Sequence, residues 1–149
     1  PGMLDRKYGY FVNTASAAGL LYQIGDAPYS ASKAAAISFS EGIAISHGDE
    51  GIRSSVICPQ YVASNLLGFS NPEDAKNLEG LLSPEVVAEK VFEAMCHEEF
   101  LILPHPRVQK YLSKKVADYD RWIDGMRKLK KKSIDKRGSA KPLDILHLV

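Results

Sequence analysis

Apolar and polar positions follow two different periods along this chain. The apolar, β-prone runs at 9–15 and 52–58 have the length of buried strands. Between them, an Ala-rich stretch from Pro28 to about Ser46 contains no helix breaker before Gly42 and predicts a helix. Two strands joined by so long a crossover are predicted to be parallel, in an α/β sheet whose ligand site lies at the carboxyl ends of the strands.

Shorter elements follow. The range 61–82 contains Gly68 and Gly80 and only short helical possibilities, and a connection of this length is typical of a lid or a binding loop. Ser83 and Pro84 predict the start of a helix that ends near Cys96, and 100–103 predicts a brief strand. The buried stripe of that helix is expected to consist of Val86, Val87, Val91 and Met95.

Apolar residues recur at three- and four-residue steps from 107 to 132, which predicts an amphipathic C-terminal helix. Tyr111 is expected at the edge of the core and Lys115 in solvent. The remaining segment, 133–149, is predicted to be a basic and polar tail, whose final residues either dock as an added strand or stay loose.

The two parts of the chain differ in charge. Residues 107–149 contain 13 Lys and Arg but only 5 Asp and Glu, whereas residues 1–106 contain 6 and 13. A basic segment can bind an anionic membrane surface or a nucleic acid. This one has no interleaved aromatic residues and no groove-reading motif, so a solvated segment is favoured and no nucleic-acid partner is expected.

Composition is that of an ordinary globular chain. Of 149 residues, 45% are hydrophobic and 25% are charged, which is enough apolar content for one core. No apolar run is long enough to span a bilayer, so stable membrane insertion is not expected and a cytoplasmic location is the default expectation. Cys58 and Cys96 lack CxxC spacing, and Cys58 is expected to be buried and structural. The four histidines lack ligand spacing, so no metal site is expected.

Three side chains around the first predicted strand and helix carry candidate chemistry. Tyr29 and Lys33 are four residues apart and therefore share one helix face. A nearby cation stabilises a phenolate, so Lys33 would help the Tyr29 hydroxyl to act as an acid and base near neutral pH. Ser16 follows the first strand, and its hydroxyl can hold and orient a substrate oxygen. The other YxxxK pair, Tyr111 and Lys115, has no such serine upstream.

A different serine chemistry is a remote alternative. Ser30 and Lys33 form an SxxK sequence, the motif of penicillin-binding serine enzymes. The accompanying KTG and SDN motifs are absent, and Ser16 would have no role.

The order of these elements resembles the short-chain dehydrogenase/reductase family. GYFVNTASAAG is similar to the family's serine strand, YSASK to its YxxxK helix, and IRSSVICPQYVAS to the next strand and its cofactor loop. The resemblance implies that Tyr29 is the general acid/base, that Ser16 anchors the substrate oxygen, and that Lys33 also donates to the nicotinamide ribose. It further implies NAD or NADP as cofactor, a small alcohol or carbonyl substrate, and a nicotinamide site lined by Pro59, Val62 and Ser64.

The resemblance also implies a partial fold. The sequence contains no GxGxxG-like run and none of the residues that select NAD or NADP, so residues 1–106 resemble the C-terminal half of a Rossmann-like oxidoreductase domain, a partial doubly wound parallel sheet. The GxGxxG run forms the loop that binds the cofactor's phosphates. Without this phosphate loop we expect the chain by itself to bind NAD(P)H with a Kd above about 1 mM.

Two hypotheses about function follow. The first is an NAD(P)-dependent oxidoreductase that interconverts an alcohol and a carbonyl. The second is a truncated, non-catalytic remnant or a dimerisation module of such an enzyme, since affinity for the dinucleotide should be poor without the phosphate loop. In the family the YxxxK helix packs against its copy, so a homo-oligomer through the 29–33 helix is expected. Within the cofactor loop, Gln60 stands where the family has glycine, and Ser64 where it has threonine.

Overall fold

The computed structural model of the chain describes residues 1–69, 78–146 and 148. The strands of this part are β1 (Gly9–Thr14), β2 (Ile52–Ile57), β3 (Tyr61–Val62), β4 (Leu81–Leu82) and β5 (Leu101–Ile102). Its α-helices are α1 (Gly2–Asp5), α2 (Ala17–Leu21), α3 (Ala27–His47), α4 (Pro84–Cys96), α5 (Pro106–Ala117), α6 (Tyr119–Arg137) and α7 (Pro142–Leu146).

The main sheet has the strand order β1-β2-β5, and both pairs are parallel. The register of β1 on β2 runs from Gly9 opposite Ile52 to Thr14 opposite Ile57, so the carboxyl ends of the two strands lie side by side. The predicted strands, the long helix between them and their parallel arrangement are confirmed.

Helices cover both faces of this sheet. Val56 packs with Ile37 of α3, whereas its neighbour Ile57 packs with Ala94 of α4, because successive side chains of a strand point to opposite faces. A second link between α3 and the sheet is a hydrogen bond in which the Asn13 amide donates to the hydroxyl of Ser40, 2.9 Å away. Helices on two faces of a parallel sheet confirm the predicted α/β, doubly wound class.

The α4 helix has its predicted bounds but not quite its predicted face. Ser83 caps it by accepting from the backbone N–H of Val86 at 3.4 Å. Val91 and Met95 pack against the core as expected, but Val86 is exposed, and Ala94 is the buried residue of the helix. The covered side of α4 is the one that faces the main sheet.

The prediction of one continuous helix over 107–132 is wrong. The chain breaks at Asp118, whose backbone is extended and whose Oδ1 accepts a hydrogen bond from the backbone N–H of Arg121 at 2.9 Å. An aspartate in this position caps a new helix. The apolar period continues across the break, which is why the sequence pattern does not reveal it.

The described part of the segment predicted as a tail, 133–146 and 148, is also largely helical. The α6 helix continues to Arg137, and Ser133 within it is fully buried and donates to the carbonyl of Ser139 at 2.7 Å. The prediction of an added strand or loose end is wrong for 142–146, which form α7 with Ile145 and Leu146 buried. The division of the chain into 1–106, 107–132 and 133–149 stays a prediction.

The predicted lid, 61–82, begins and ends in ordered structure. β3 and β4 pair in parallel, with Tyr61 opposite Leu81 and Val62 opposite Leu82. Residues 70–77 lie outside the described residues, so the lid stays a prediction. Among the helices of the described ranges, none combines the length and apolar character that a membrane crossing requires.

Candidate active site

Ser16 lies where the carboxyl end of β1 meets the start of α2. It is buried and is the N-cap of that helix, because its Oγ accepts from the backbone N–H of Ala18 at 3.1 Å. The same hydroxyl donates to the carbonyl of Pro59, 3.4 Å away in the segment after β2. A second bond, from the backbone N–H of Ala17 to the Pro59 carbonyl at 2.8 Å, fixes the two strand ends to each other.

The sequence patterns predict no element between the first strand and the helix that starts near Pro28, but the structure has the short helix α2 there. Gly19 lets α2 approach α3 closely: a Cβ on Gly19 would lie 2.7 Å from the backbone carbon of Lys33 and 2.8 Å from the nitrogen of Ala34. On another side of α2, Leu21 is buried against Val108 of α5. Gly19 is thus a positioning residue for Ser16 against the helix that carries Lys33.

Tyr29 and Lys33 lie in the first two turns of α3, and both are half-buried. Asp26 caps this helix by accepting from the backbone N–H of Tyr29 at 3.1 Å. The Lys33 ammonium lies 5.6 Å from the centre of the Tyr29 ring and donates to the carbonyl of Thr14 at 3.2 Å. Lys33 therefore connects the tyrosine with the carboxyl end of β1, two residues before Ser16.

The three predicted catalytic residues therefore lie at one edge of the sheet. In the part of the chain that the structure describes, no hydrogen bond joins the Tyr29 hydroxyl to Ser16 or to Lys33. The arrangement can hold an oxygen atom near a phenol and an ammonium group, which is what proton transfer to a carbonyl oxygen requires.

Pro59, Val62 and Ser64, the residues predicted to line the nicotinamide site, follow β2 at the same edge. Val62 belongs to β3 and is half-buried. The carbonyl of Ser64 accepts from the backbone N–H groups of Leu67 and Phe69 at 3.0 and 3.1 Å. The Ser64 hydroxyl makes no capping hydrogen bond to the turn that follows it.

His105, which the sequence analysis assigned no role, holds this loop in place. It is 3% exposed; its Nδ1 accepts from the backbone N–H of Gln60 at 3.1 Å, so its Nε2 carries the proton and donates to the Tyr61 carbonyl at 2.9 Å. Burial lowers the pKa of His105, the Tyr61 carbonyl partly opposes this, and the positive charge of Arg107 adds to it. The ring is therefore a neutral clamp between the β2 loop and the start of α5.

Cys58, directly after β2, is fully buried, as predicted for a structural thiol. Burial raises its pKa to about 11, although a backbone hydrogen bond from Ser16 and the charge of Lys33 both act in the opposite direction. A thiol with so high a pKa is not a nucleophile at neutral pH. Cys58 therefore packs beneath the site.

A cavity of about 530 Å³ lies beside Ser16, between α2 and the helices α5 and α6. Lys115 fixes one of its walls: it was predicted to be solvated, but its ammonium donates to the carbonyl of Leu20 at 2.5 Å and lies 5.2 Å from the Tyr119 ring. Tyr111 is at the core edge, as predicted, and packs with Trp122 at a ring-centroid distance of 6.4 Å.

Among the described residues, no three His, Cys, Asp or Glu side chains form a group that could hold a metal ion.

The comparisons with known proteins all indicate the same family. Residues 1–75 match the model of the short chain dehydrogenase family. The chain is 34% identical over 95 residues to the ketoacyl reductase HetN of Nostoc, covering 64% of this chain and 33% of that protein. It is 30% identical over 108 residues to human epidermal retinol dehydrogenase 2, covering 70% of this chain and 35% of that protein.

Solved structures show the same relationship. A short chain dehydrogenase/reductase from Burkholderia phymatum, solved in complex with NAD, superposes with a TM-score of 0.65 at 27% identity, covering 78% of this chain and 50% of that one. The chain spans about a third of the length of the curated relatives named above.

Proposed function

The chain belongs to the short-chain dehydrogenase family, and we propose that it interconverts an alcohol and a carbonyl with NAD or NADP as the hydride carrier. The observation that carries this proposal is the position of Tyr29, Lys33 and Ser16 at one edge of the sheet. The NAD complex of the Burkholderia phymatum neighbour supports the cofactor class.

Each residue has a separate role in this proposal. Tyr29 gives its hydroxyl proton to the oxygen of a carbonyl substrate and takes it back from an alcohol. Lys33 stabilises the negative charge that remains on the phenol oxygen, since its ammonium is next to the ring. Ser16 holds the substrate oxygen against Tyr29, and its own orientation is set by Ala18 and Pro59.

The residues around the edge fit the nicotinamide end of the cofactor. An ammonium has three N–H donors, and one of those of Lys33 is used by Thr14, which leaves donors for ribose hydroxyls. The Ser64 hydroxyl and the loop from Pro59 to Val62 would complete this side of the site. When bound, the nicotinamide supplies the hydride for reduction or accepts it for oxidation.

The test is a turnover measurement with Tyr29→Phe. The protein is expressed from the longest reading frame that contains this chain, and NADH and NADPH are each offered with a panel of ketones. Tyr29→Phe should lower kcat by about 10² to 10⁴ while the cofactor Kd stays within a factor of about three, because it removes a proton and little binding surface.

A suitable control is Tyr8→Phe, since Tyr8 precedes β1 at the end of the strand away from the site and is 72% exposed. It should leave both constants unchanged. Activity of Tyr29→Phe within a few-fold of the parent protein would show that Tyr29 is not the acid/base.

We also propose that α3 pairs with a second copy of itself, which would serve either an enzyme or a dimerisation module. Small residues on its outer side are exposed, and two large apolar side chains, Phe39 and Ile45, are 65% and 84% exposed there. Exposed apolar surface of this kind supports an interface.

A further inference from the structure

The cavity beside Ser16 has the dimensions and lining of a small-molecule site. Ala17 and Ala18 border it on the side of Ser16, Gln60 and Tyr61 border it at the β2 loop, and α6 forms the opposite wall. Its volume of about 530 Å³ lies within the usual range for ligand sites. Neither Tyr29 nor Lys33 lines it, so it would hold the part of a ligand that does not react.

Most of the wall is apolar, with Leu21 buried and the other side chains half-buried. The side chains that form this part are Leu21, Tyr111, Trp122, Met126 and Leu129. An apolar chain or ring placed here gains about 25 cal/mol for each Å² removed from water.

Two cations border the same cavity. Lys114 at the end of α5 and Arg121 in the first turn of α6 both line it, and both are exposed. Within the described ranges, neither forms an ion pair with a carboxylate. Asp118 also lines the cavity, but its carboxylate caps α6 by accepting from the Arg121 backbone. Positive charge therefore exceeds negative charge at this border.

Gln60 adds one polar group on the other side. Its Oε1 is buried and has no hydrogen-bond partner among the described residues. A buried acceptor without a donor is costly, so a hydroxyl or amide of a ligand would be favoured there.

We propose that this cavity binds the apolar body of a substrate that also carries a carboxylate, with the acid group at Lys114 and Arg121. The assignment of this ligand as substrate rests on the proposed function, because it requires the reacting carbon to reach Ser16. Binding to the cavity itself is independent of that function.

The sequence supplies a direct probe, because its single tryptophan is Trp122 in the cavity wall. Octanoate and 1-octanol share one chain length and differ in charge. Without cofactor, both should change Trp122 fluorescence, and octanoate should do so at about threefold to tenfold lower concentration, as two exposed ion pairs allow. No change with octanoate, or equal affinity for the two compounds, would overturn the proposal.

Two sets of variants test the cations at the cavity border and the space inside the cavity separately. Lys114→Gln combined with Arg121→Gln should abolish the preference for octanoate, whereas Lys128→Gln combined with Lys131→Gln, the same loss of charge on exposed positions of α6, should preserve it. Gly125→Leu should weaken both ligands at least tenfold, since Gly125 lines the cavity and an added Cβ meets no atom within 4 Å. The proposed position of the ligand would be contradicted if octanoate were still preferred after Lys114→Gln with Arg121→Gln, or if both ligands still bound equally well after Gly125→Leu.

The titration is repeated in Tyr29→Phe, which should bind octanoate as the parent protein does. If the parent protein binds octanoate but turns over no ketone, the proposed function is refuted and the proposed ligand site is supported. If the parent protein turns over a ketone but does not bind octanoate, the proposed ligand site is refuted and the proposed function is supported.

Discussion

Replacement of Gly19 by alanine should damage the site through a contact rather than through chemistry. The added Cβ would lie 2.7 and 2.8 Å from backbone atoms of Lys33 and Ala34, and 2.8 Å from Cδ1 of Ile37. The Ile37 side chain can move, but the backbone of α3 cannot move without carrying Lys33 with it. The strain must therefore be relieved by moving α2, which begins at Ser16.

The magnitude follows from overpacking, which costs about 1 to 3 kcal/mol when the neighbours cannot yield. Turnover should fall by about 10²-fold, the usual result of displacing a positioning group by about 1 Å. The matched control is Gly42→Ala in α3, where an added Cβ meets no atom within 4 Å. That change should leave turnover intact and stabilise the helix by about 0.5 to 1 kcal/mol.

The assay combines urea unfolding, followed by circular dichroism, with the turnover measurement. Gly19→Ala with the stability and kcat of the parent protein would show that α2 is not packed against α3 as described. A loss of stability without a loss of kcat would show that Ser16 does not depend on α2 for its position.

Three further outcomes are expected. His105 has a lowered pKa, so its stabilising effect is complete above the unfolded pKa of about 6.5 and is lost as the pH falls through the folded value. His105→Gln should therefore flatten the decline of the free energy of unfolding in urea between about pH 7 and 5. An unchanged slope would contradict a neutral His105. Lys115→Met should lower stability by about 1 to 2 kcal/mol by removing the bond to the Leu20 carbonyl, whereas Lys110→Met on the exposed side of α5 should not. Phe39→Glu should convert an oligomer to a monomer in light scattering, with Phe92→Glu on the exposed side of α4 as the control, and a monomeric parent protein would refute pairing through α3.

The elements that sequence analysis predicted well are those whose pattern is local. The strand at 9–14, the helix at 27–47 and the helix capped by Ser83 each have their own periodicity, composition and end signals. Parallel pairing then followed from the length of the crossover. Strong local signals therefore sufficed for the α/β class and for the neighbourhood of Ser16 and Lys33.

The features that sequence analysis missed depend on partners far along the chain. The helix α2 has five residues with Gly19 in the middle, too short to form without packing. The ammonium of Lys115 finds its acceptor in Leu20, 95 residues away, and His105 bonds to backbone groups at 60 and 61. No spacing rule connects such positions, although a histidine flanked by two prolines after a strand could have suggested a buried role.

The central claim is that Tyr29 and Lys33 divide the chemistry of one site, and the most direct test measures kcat and cofactor Kd together for Tyr29→Phe and Lys33→Ala. Tyr29→Phe should lose turnover alone. Lys33→Ala should lose turnover and also raise the Kd for NAD(P)H by about tenfold or more, since it removes the proposed donor to the ribose as well as the cation beside the phenol. Equal effects of the two variants on Kd, or full turnover in either, would contradict the account.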